Sequence, residues 1–391
     1  MLAELSAGSV ATSTSDPSLL RRVRKFLPMC QLAASRGSAI LAQFAVQLVV
    51  GTMVGASGLG VLQLFTSWTC IAGEILALGL PTRAMRLVSV AYAEQQGDVI
   101  RQLLRDARRK IIRLWFLLAL LAGAPLALLL HTQTPPDWAH YGSLLVGAAL
   151  AAPFFSLLRL YAESLKATGG ALAAVTLESL TSPIALLLVC AVCWLTGQVV
   201  LTTTLLIAFG LSLVVTPLAL HSRLRQQLAL LPAEGALQGK AKTLSPTVRG
   251  ELLSLWGIGV LSICFLQLPF IVLPIYVDAA QIGVFAVAHK LINVVTTLLL
   301  LLAAIFGPAF ARQAAQCDAA GMLELLRRTQ LISTAVFLTV SLTLIALAYP
   351  LSQLFCEDFC DMQIYLVILT AGQMINAANC LAGVMLNMAG A

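Results

Sequence analysis

Charge is scarce in this chain: Asp, Glu, Lys and Arg together make up 10% of its 391 residues, against 59% hydrophobic residues. A soluble globule of this length needs a charged surface, and there is too little charge here to build one. Other absences narrow the chemistry. No Walker A sequence is present, which argues against ATP hydrolysis by this chain. Four histidines are scattered, and neither a Ser/His/Asp arrangement nor a carboxylate pair stands out, so the chain does not read as an enzyme and calls for no cofactor. Cys190 and Cys193 lack companion ligands, so no zinc site is expected. The first 36 residues are polar and Ser/Thr-rich and do not end in a small-residue cleavage site, so they do not read as a cleavable signal peptide.

What is present is a series of long apolar runs. A spanning helix needs about 20 apolar residues at about 1.5 Å rise each. Ten runs qualify, near 37–54, 60–80, 111–130, 141–163, 171–195, 200–220, 252–275, 281–304, 331–349 and 363–386. The expected fold is an all-α polytopic membrane protein.

The connections alternate in chemistry. Each of the 24 Lys and Arg residues falls inside a span or in a connection on one side, such as Arg101, Arg105, Arg108 and Arg109, or Arg223, Arg225, Lys240 and Lys242. The intervening loops 55–59, 131–140, 196–199, 276–280 and 350–362 carry no Lys or Arg, but hold Asp137, Asp278, Glu357, Asp358 and Asp361. The basic side is cytoplasmic, and so is the N-terminus. The net charge of +7 is then inner-leaflet charge, with membrane lipids as its partner and no nucleic acid called for. Residues 1–36 read as a cytoplasmic arm with a basic amphipathic segment around 19–32, and residues 98–110 as an amphipathic helix on the inner surface.

The two parts of the sequence echo each other. Gly55-Ala-Ser-Gly-Leu-Gly60-Val61 opens the second span, and Asp278-Ala-Ala-Gln-Ile-Gly283-Val284 opens the eighth, 223 positions later. Leu-Leu-Arg recurs at 103–105 and 325–327, 222 positions apart. Six spans precede the second copy's first span, so both copies start on the same side. This is a parallel repeat about an axis along the membrane normal. The expected organisation is a six-helix bundle at 37–220, a cytoplasmic linker at 221–251, and a second bundle at 252–391 with four spans, expected to be truncated. Two such bundles suit a transporter that opens alternately to each face.

Ionisable groups inside spans are costly, of order 2.5–3.5 kcal/mol at mid-membrane on insertion scales, so each calls for a reason. Lys290 lies about 14 Å into the eighth span by helical rise, flanked by His289 and with Asn293 at i+3. It reads either as a cavity cation for an anionic substrate or as half of an ion pair with Glu74 or Glu178. Glu74 is an ion-pair or coupling candidate. Arg159, Glu163 and Glu178 read as a network near the cytoplasmic side, with Arg159 also a candidate for substrate phosphate. Gln43 and Gln47, at i and i+4, give the first span a polar stripe that faces either the cavity or a neighbouring helix. Pro153, Pro183, Pro269 and Pro274 are expected to bend their spans. Cys356 and Cys360 share an outer loop, where a disulfide is expected as an option.

Several stretches resemble a known family. They are Gly58-Leu-Gly60-Val-Leu-Gln-Leu64, Ala77-Leu-Gly-Leu-Pro81 with Arg83 and Arg86 at its exit, Gly283-Val-Phe-Ala-Val-Ala-His-Lys290-Leu-Ile-Asn293, and Leu386-Asn-Met-Ala-Gly390. Together they resemble the Wzx-type O-antigen and capsule flippases of the multidrug/oligosaccharidyl-lipid/polysaccharide exporter superfamily. Ala389 departs from the Leu-Asn-Met-Thr-Gly stretch common there. The resemblance covers roughly 30–391 in diffuse patterns. It implies twelve spans, residence in the bacterial inner membrane, and movement of an undecaprenyl-pyrophosphate-linked oligosaccharide to the outer leaflet, alongside polysaccharide-assembly proteins. Two other readings compete. A cation-coupled multidrug exporter of the same superfamily usually carries cavity acids, whereas the first span here has none and the best mid-membrane charge is Lys290. A membrane glycan polymerase or ligase usually has a large outer loop, and the longest here is 350–362.

Overall fold

The computed structural model describes residues 17–131, 136–231, 246–294, 306, 313, 319–355 and 359–389. Among them the regular structure is helical. The helices are α1 (Pro17–Ala77), α2 (Leu80–Ala93), α3 (Gly97–His131), α4 (Pro136–Ala167), α5 (Ala171–Thr196) and α6 (Thr202–Ala229), then α7 (Pro246–Val272), α8 (Ala279–Val294), α9 (Ala319–Leu354) and α10 (Met362–Ala389). A 3-10 turn, Leu273–Ile275, follows α7. The chain is an all-α, multi-pass membrane protein. Six helices are long and apolar enough to cross a bilayer, and α8 and the apolar part of α10 are shorter apolar helices.

The apolar part of α1 runs over Ala34–Ala77, 44 residues. At about 1.5 Å per residue that is roughly twice the thickness of a hydrocarbon core, so it holds two crossings. They meet at Gly55, whose φ of 77° and ψ of 179° break the helix. The connection expected at 55–59 is thus a single non-helical glycine instead of a five-residue loop. One glycine with a positive φ, which L side chains rarely adopt, makes the break. At its other end α1 begins at Pro17, so the basic segment 19–32 is helical and runs on into the first span.

The membrane-facing surface is apolar: Leu188, Val192, Trp194, Leu195, Leu261 and Phe265 are all exposed. So many large exposed apolar side chains suit a lipid-facing surface. Inside, one core links Val46 and Val50 of α1 with Leu160 and Leu165 of α4, Leu205 and Leu220 of α6, and Val287 and Leu291 of α8. The amphipathic stretch 98–110 differs from its expected role as a surface helix on lipid. It is the start of α3, and Ile100, Leu104, Ala107 and Ile111 are buried in that protein core while Arg101, Arg105, Arg108 and Arg109 stay exposed. Its apolar stripe found a protein partner, which a moment-type reading of the sequence cannot distinguish from lipid.

The repeated glycines meet. A Cβ placed on Gly60 would lie 1.8 Å from the Ala279 carbonyl oxygen, and one on Gly283 would lie 2.0 Å from that of Ala56. Ala56 with Gly60, and Ala279 with Gly283, are the same two positions of the repeated stretch. The contact is thus reciprocal, and α1 and α8 approach backbone to backbone, as small residues allow within membranes.

Candidate functional site

Asp278 starts α8 by accepting a hydrogen bond from the Gln281 backbone N–H at 2.9 Å, an N-cap that satisfies one of the free donors of the first turn. From there Ile282, Ala286 and Val287 pack inward, which fixes the helix rotation and brings Lys290 to α1. Lys290 Nζ donates to Gln43 Oε1 at 3.4 Å, across 247 positions of sequence. Gln47, one turn further along α1, is buried, and its side-chain oxygen has no protein partner. The polar stripe of the first span therefore faces α8 at Gln43. His289 stacks on Phe285 with ring centroids 5.8 Å apart, and meets Phe270 edge-on at 5.5 Å. Asn293 Nδ2 lies 3.3 Å from His289 Nδ1.

The carboxylates expected to compete for Lys290 are occupied elsewhere. Arg159 Nε lies 3.8 Å from Glu74 Oε2, and its Nη1 lies 3.5 Å from Glu163 Oε1 and 3.3 Å from Glu178 Oε1. Lys166 Nζ completes the cluster, 3.1 Å from Glu163 and 2.9 Å from Glu178. Three carboxylates and two cations from α1, α4 and α5 thus form one network. Lys166 lies beyond the span expected at 141–163, but it sits in the last turn of α4, where a cation also suits the helix dipole. Its i, i+3 spacing from Glu163 was the available clue. Among the described residues no carboxylate stands at ion-pair distance from Lys290. Gly259 of α7 leaves the space that the Glu74 carboxylate fills: a Cβ there would be 2.6 Å from Glu74 Oε1.

Tryptophans supply contacts that sequence reasoning missed. A proline has no N–H, so it leaves the carbonyl four residues before it without its helical donor. Pro274 frees the Phe270 carbonyl, and the Trp68 indole N–H donates to it at 3.1 Å. Pro153 frees the Ala149 carbonyl, and Trp115 Nε1 donates to it at 2.9 Å. Trp256 Nε1 donates to the Ile75 carbonyl in the last turn of α1 at 3.0 Å. In a bilayer such carbonyls cannot turn to water, so indoles fill them. Helices α4, α5 and α7 run through Pro153, Pro183 and Pro269, while Pro274 lies in the 3-10 turn. Cys356 lies outside the described residues, and Cys360 is exposed.

No protein-family model matches the chain, and no curated protein matches it. Solved structures do. An inward-facing multidrug resistance MATE-family transporter of the MOP superfamily aligns with a TM-score of 0.62 at 16% identity, covering 90% of this chain and 81% of that one. The lipid II flippase MurJ in an inward closed conformation aligns with a TM-score of 0.61 at 12% identity, covering 92% of this chain and 76% of that one. The chain has the fold of these membrane transporters. At such identities the likeness concerns the fold and leaves the cargo open.

Proposed function

We propose that the chain is a transporter that moves an anionic, lipid-linked substrate across the membrane by alternating access. The substrate class is an undecaprenyl-pyrophosphate-linked oligosaccharide, carried from the inner to the outer leaflet of a bacterial inner membrane, with the N-terminus cytoplasmic. The observation that carries this reading is Lys290: a half-buried cation deep in a span, held by the neutral Gln43 and, among the described residues, by no carboxylate. A cation kept without a counter-ion favours an anionic visitor. His289, Asn293 and Gln47 border that position as hydrogen-bonding groups, and Arg159 lies in the charged network. The fold shared with a lipid II flippase is compatible with a lipid-linked cargo.

In this reading residues 37–220 and 252–391 form two bundles joined by 221–251, and the reciprocal Gly60/Gly283 contact lies close to their pseudo-twofold axis.

A second reading has its own support. The network holds three carboxylates against two cations, and Glu74 reaches Gly259 of α7. A surplus carboxylate between helices suits a bound proton or cation, as a cation-coupled exporter requires. Substitution separates the readings. Lys290→Ala should accumulate normally and lose glycan export, and Lys290→Arg should retain part of it, because the charge persists in a different geometry. Recovery of both abundance and transport by Lys290→Ala combined with Glu74→Gln would show that Lys290 serves as an ion-pair partner. Efflux of a cationic dye that depends on Glu74 and not on Lys290 would favour the exporter.

A further inference from the structure

A separate pocket of about 380 Å³ opens where the start of α3 docks on α4 and α6. Four guanidinium groups line it: Arg101, Arg105 and Arg108 on α3, and Arg225 on α6. Tyr161 and His221 form one wall, ring centroids 4.8 Å apart, and Arg108 reaches the Tyr161 hydroxyl. The buried Leu104, Leu224 and Leu228 form the apolar floor.

The charge balance here differs from that of the Arg159 network. Around Arg159 and Lys166 each cation meets a carboxylate. In this pocket no carboxylate belongs to the lining, and only Arg101 has an ion pair, with the exposed Asp98 at 3.0 Å. Arg105, Arg108 and Arg225 converge on one space with none among the described residues. In addition, His221 Nδ1 is buried without a protein partner. A buried ring nitrogen without a partner costs free energy comparable to a lost hydrogen bond, so a ligand group that satisfies it is favoured.

Guanidinium forks match the oxygens of a phosphate in pairs, and they do so better than point charges. The leucine floor adds a condition, because inorganic phosphate has nothing to place on it. An amphiphile whose phosphate meets the arginines and whose chain follows the leucines uses both. The pocket lies at one end of the spanning helices, where lipid headgroups lie, and basic clefts between helices suit anionic headgroups. We propose that this pocket is a binding site for a phosphate group, supplied by an anionic phospholipid of the adjoining leaflet. It is distinct from the Lys290 position and does not rest on the transport reading.

The test uses the full-length protein in detergent, with phosphatidylglycerol, phosphatidylethanolamine and inorganic phosphate as probes, and native mass spectrometry with thermal unfolding as readouts. Phosphatidylglycerol should bind and raise the unfolding temperature, and phosphatidylethanolamine should do neither. Combined Arg105→Gln, Arg108→Gln and Arg225→Gln should weaken phosphatidylglycerol binding at least tenfold. Arg225→Lys, which keeps the charge and loses the fork, should fall in between. A charge-matched control of Arg83→Gln, Lys110→Gln and Arg223→Gln should change little. Equal weakening by the control would overturn the pocket in favour of diffuse surface charge. Unchanged binding by the pocket variants would overturn it outright, and full displacement of the lipid by millimolar inorganic phosphate would overturn the lipid as its source. If the triple variant does not fold, Arg225→Lys still decides.

Discussion

Adding one methyl group at the α1–α8 crossing should separate the two helices. On Gly60 the new carbon would start 1.8 Å from the Ala279 oxygen, and on Gly283 2.0 Å from the Ala56 oxygen. Ordinary carbon–oxygen contact is above about 3 Å, so the backbones must part by more than about 1 Å at a point where neither side can swing away. Overpacking of this kind costs about 1–3 kcal/mol. An unopposed Gly→Ala change inside a helix gains up to about 1 kcal/mol from propensity, so the sign of the net effect is informative. Gly60→Ala and Gly283→Ala should each lower the unfolding temperature in detergent, and by similar amounts because the contact is reciprocal. The double variant should cost less than the sum, since one separation of the helices relieves both clashes. Gly210→Ala, which meets nothing within 4 Å, serves as the control and should be neutral or stabilising. Neutral or stabilising effects at Gly60 and Gly283, or strict additivity, would refute a backbone contact there.

Other perturbations follow from the same geometry. Arg159→Ala removes the ion-pair partner of Glu74 and should destabilise by less than about 3 kcal/mol, because a third of the arginine side chain is exposed; Glu74→Gln should restore part of the loss in thermal unfolding. Trp68→Phe and Trp115→Phe keep the ring and delete the donor to a carbonyl freed by proline, so each should cost about 1–3 kcal/mol, and hydrogen exchange near Phe270 or Ala149 should quicken. Gly259→Ala should displace the Glu74 carboxylate and weaken its pairing with Arg159, seen as a smaller additional effect of Arg159→Ala in that background. In a cysteine-free background a cysteine at the exposed Val199 should react with an impermeant reagent in intact cells and one at Gln226 should not; the reverse pattern would invert the proposed orientation.

Much of the architecture was legible because lipid imposes a simple rule on sequence. Apolar continuity placed the spans, and their described parts lie on helices to within a few residues at the ends. The break between the first two spans falls within the expected 55–59, but it is shorter than a loop, because Gly55 alone leaves helical geometry there. Site residues were legible as individual groups and not as pairs. Lys290, Glu74 and Glu178 stood out because charge within spans is costly, yet which acid meets which base depends on helix rotation, which near-uniform apolar faces do not reveal. Lys166 lies beyond the span expected at 141–163, and the length of α4 carries it back to Glu163 and Glu178. The Trp68–Phe270 and Trp115–Ala149 bonds had a readable half, the carbonyl four residues before a proline, but no readable donor.

The central claim is that Lys290 serves an anionic, lipid-linked cargo. Purified protein in sealed vesicles, loaded with fluorescent polyprenyl lipids that differ only in the linking group, measures it most directly. The wild type should move the pyrophosphate-linked lipid to the opposite leaflet, visible as dye newly accessible to an impermeant quencher, and leave a neutral-linked analogue in place. Lys290→Ala at equal reconstitution should move neither. Equal movement of both lipids by the wild type, or an undiminished rate for the pyrophosphate-linked lipid in Lys290→Ala, would contradict the account.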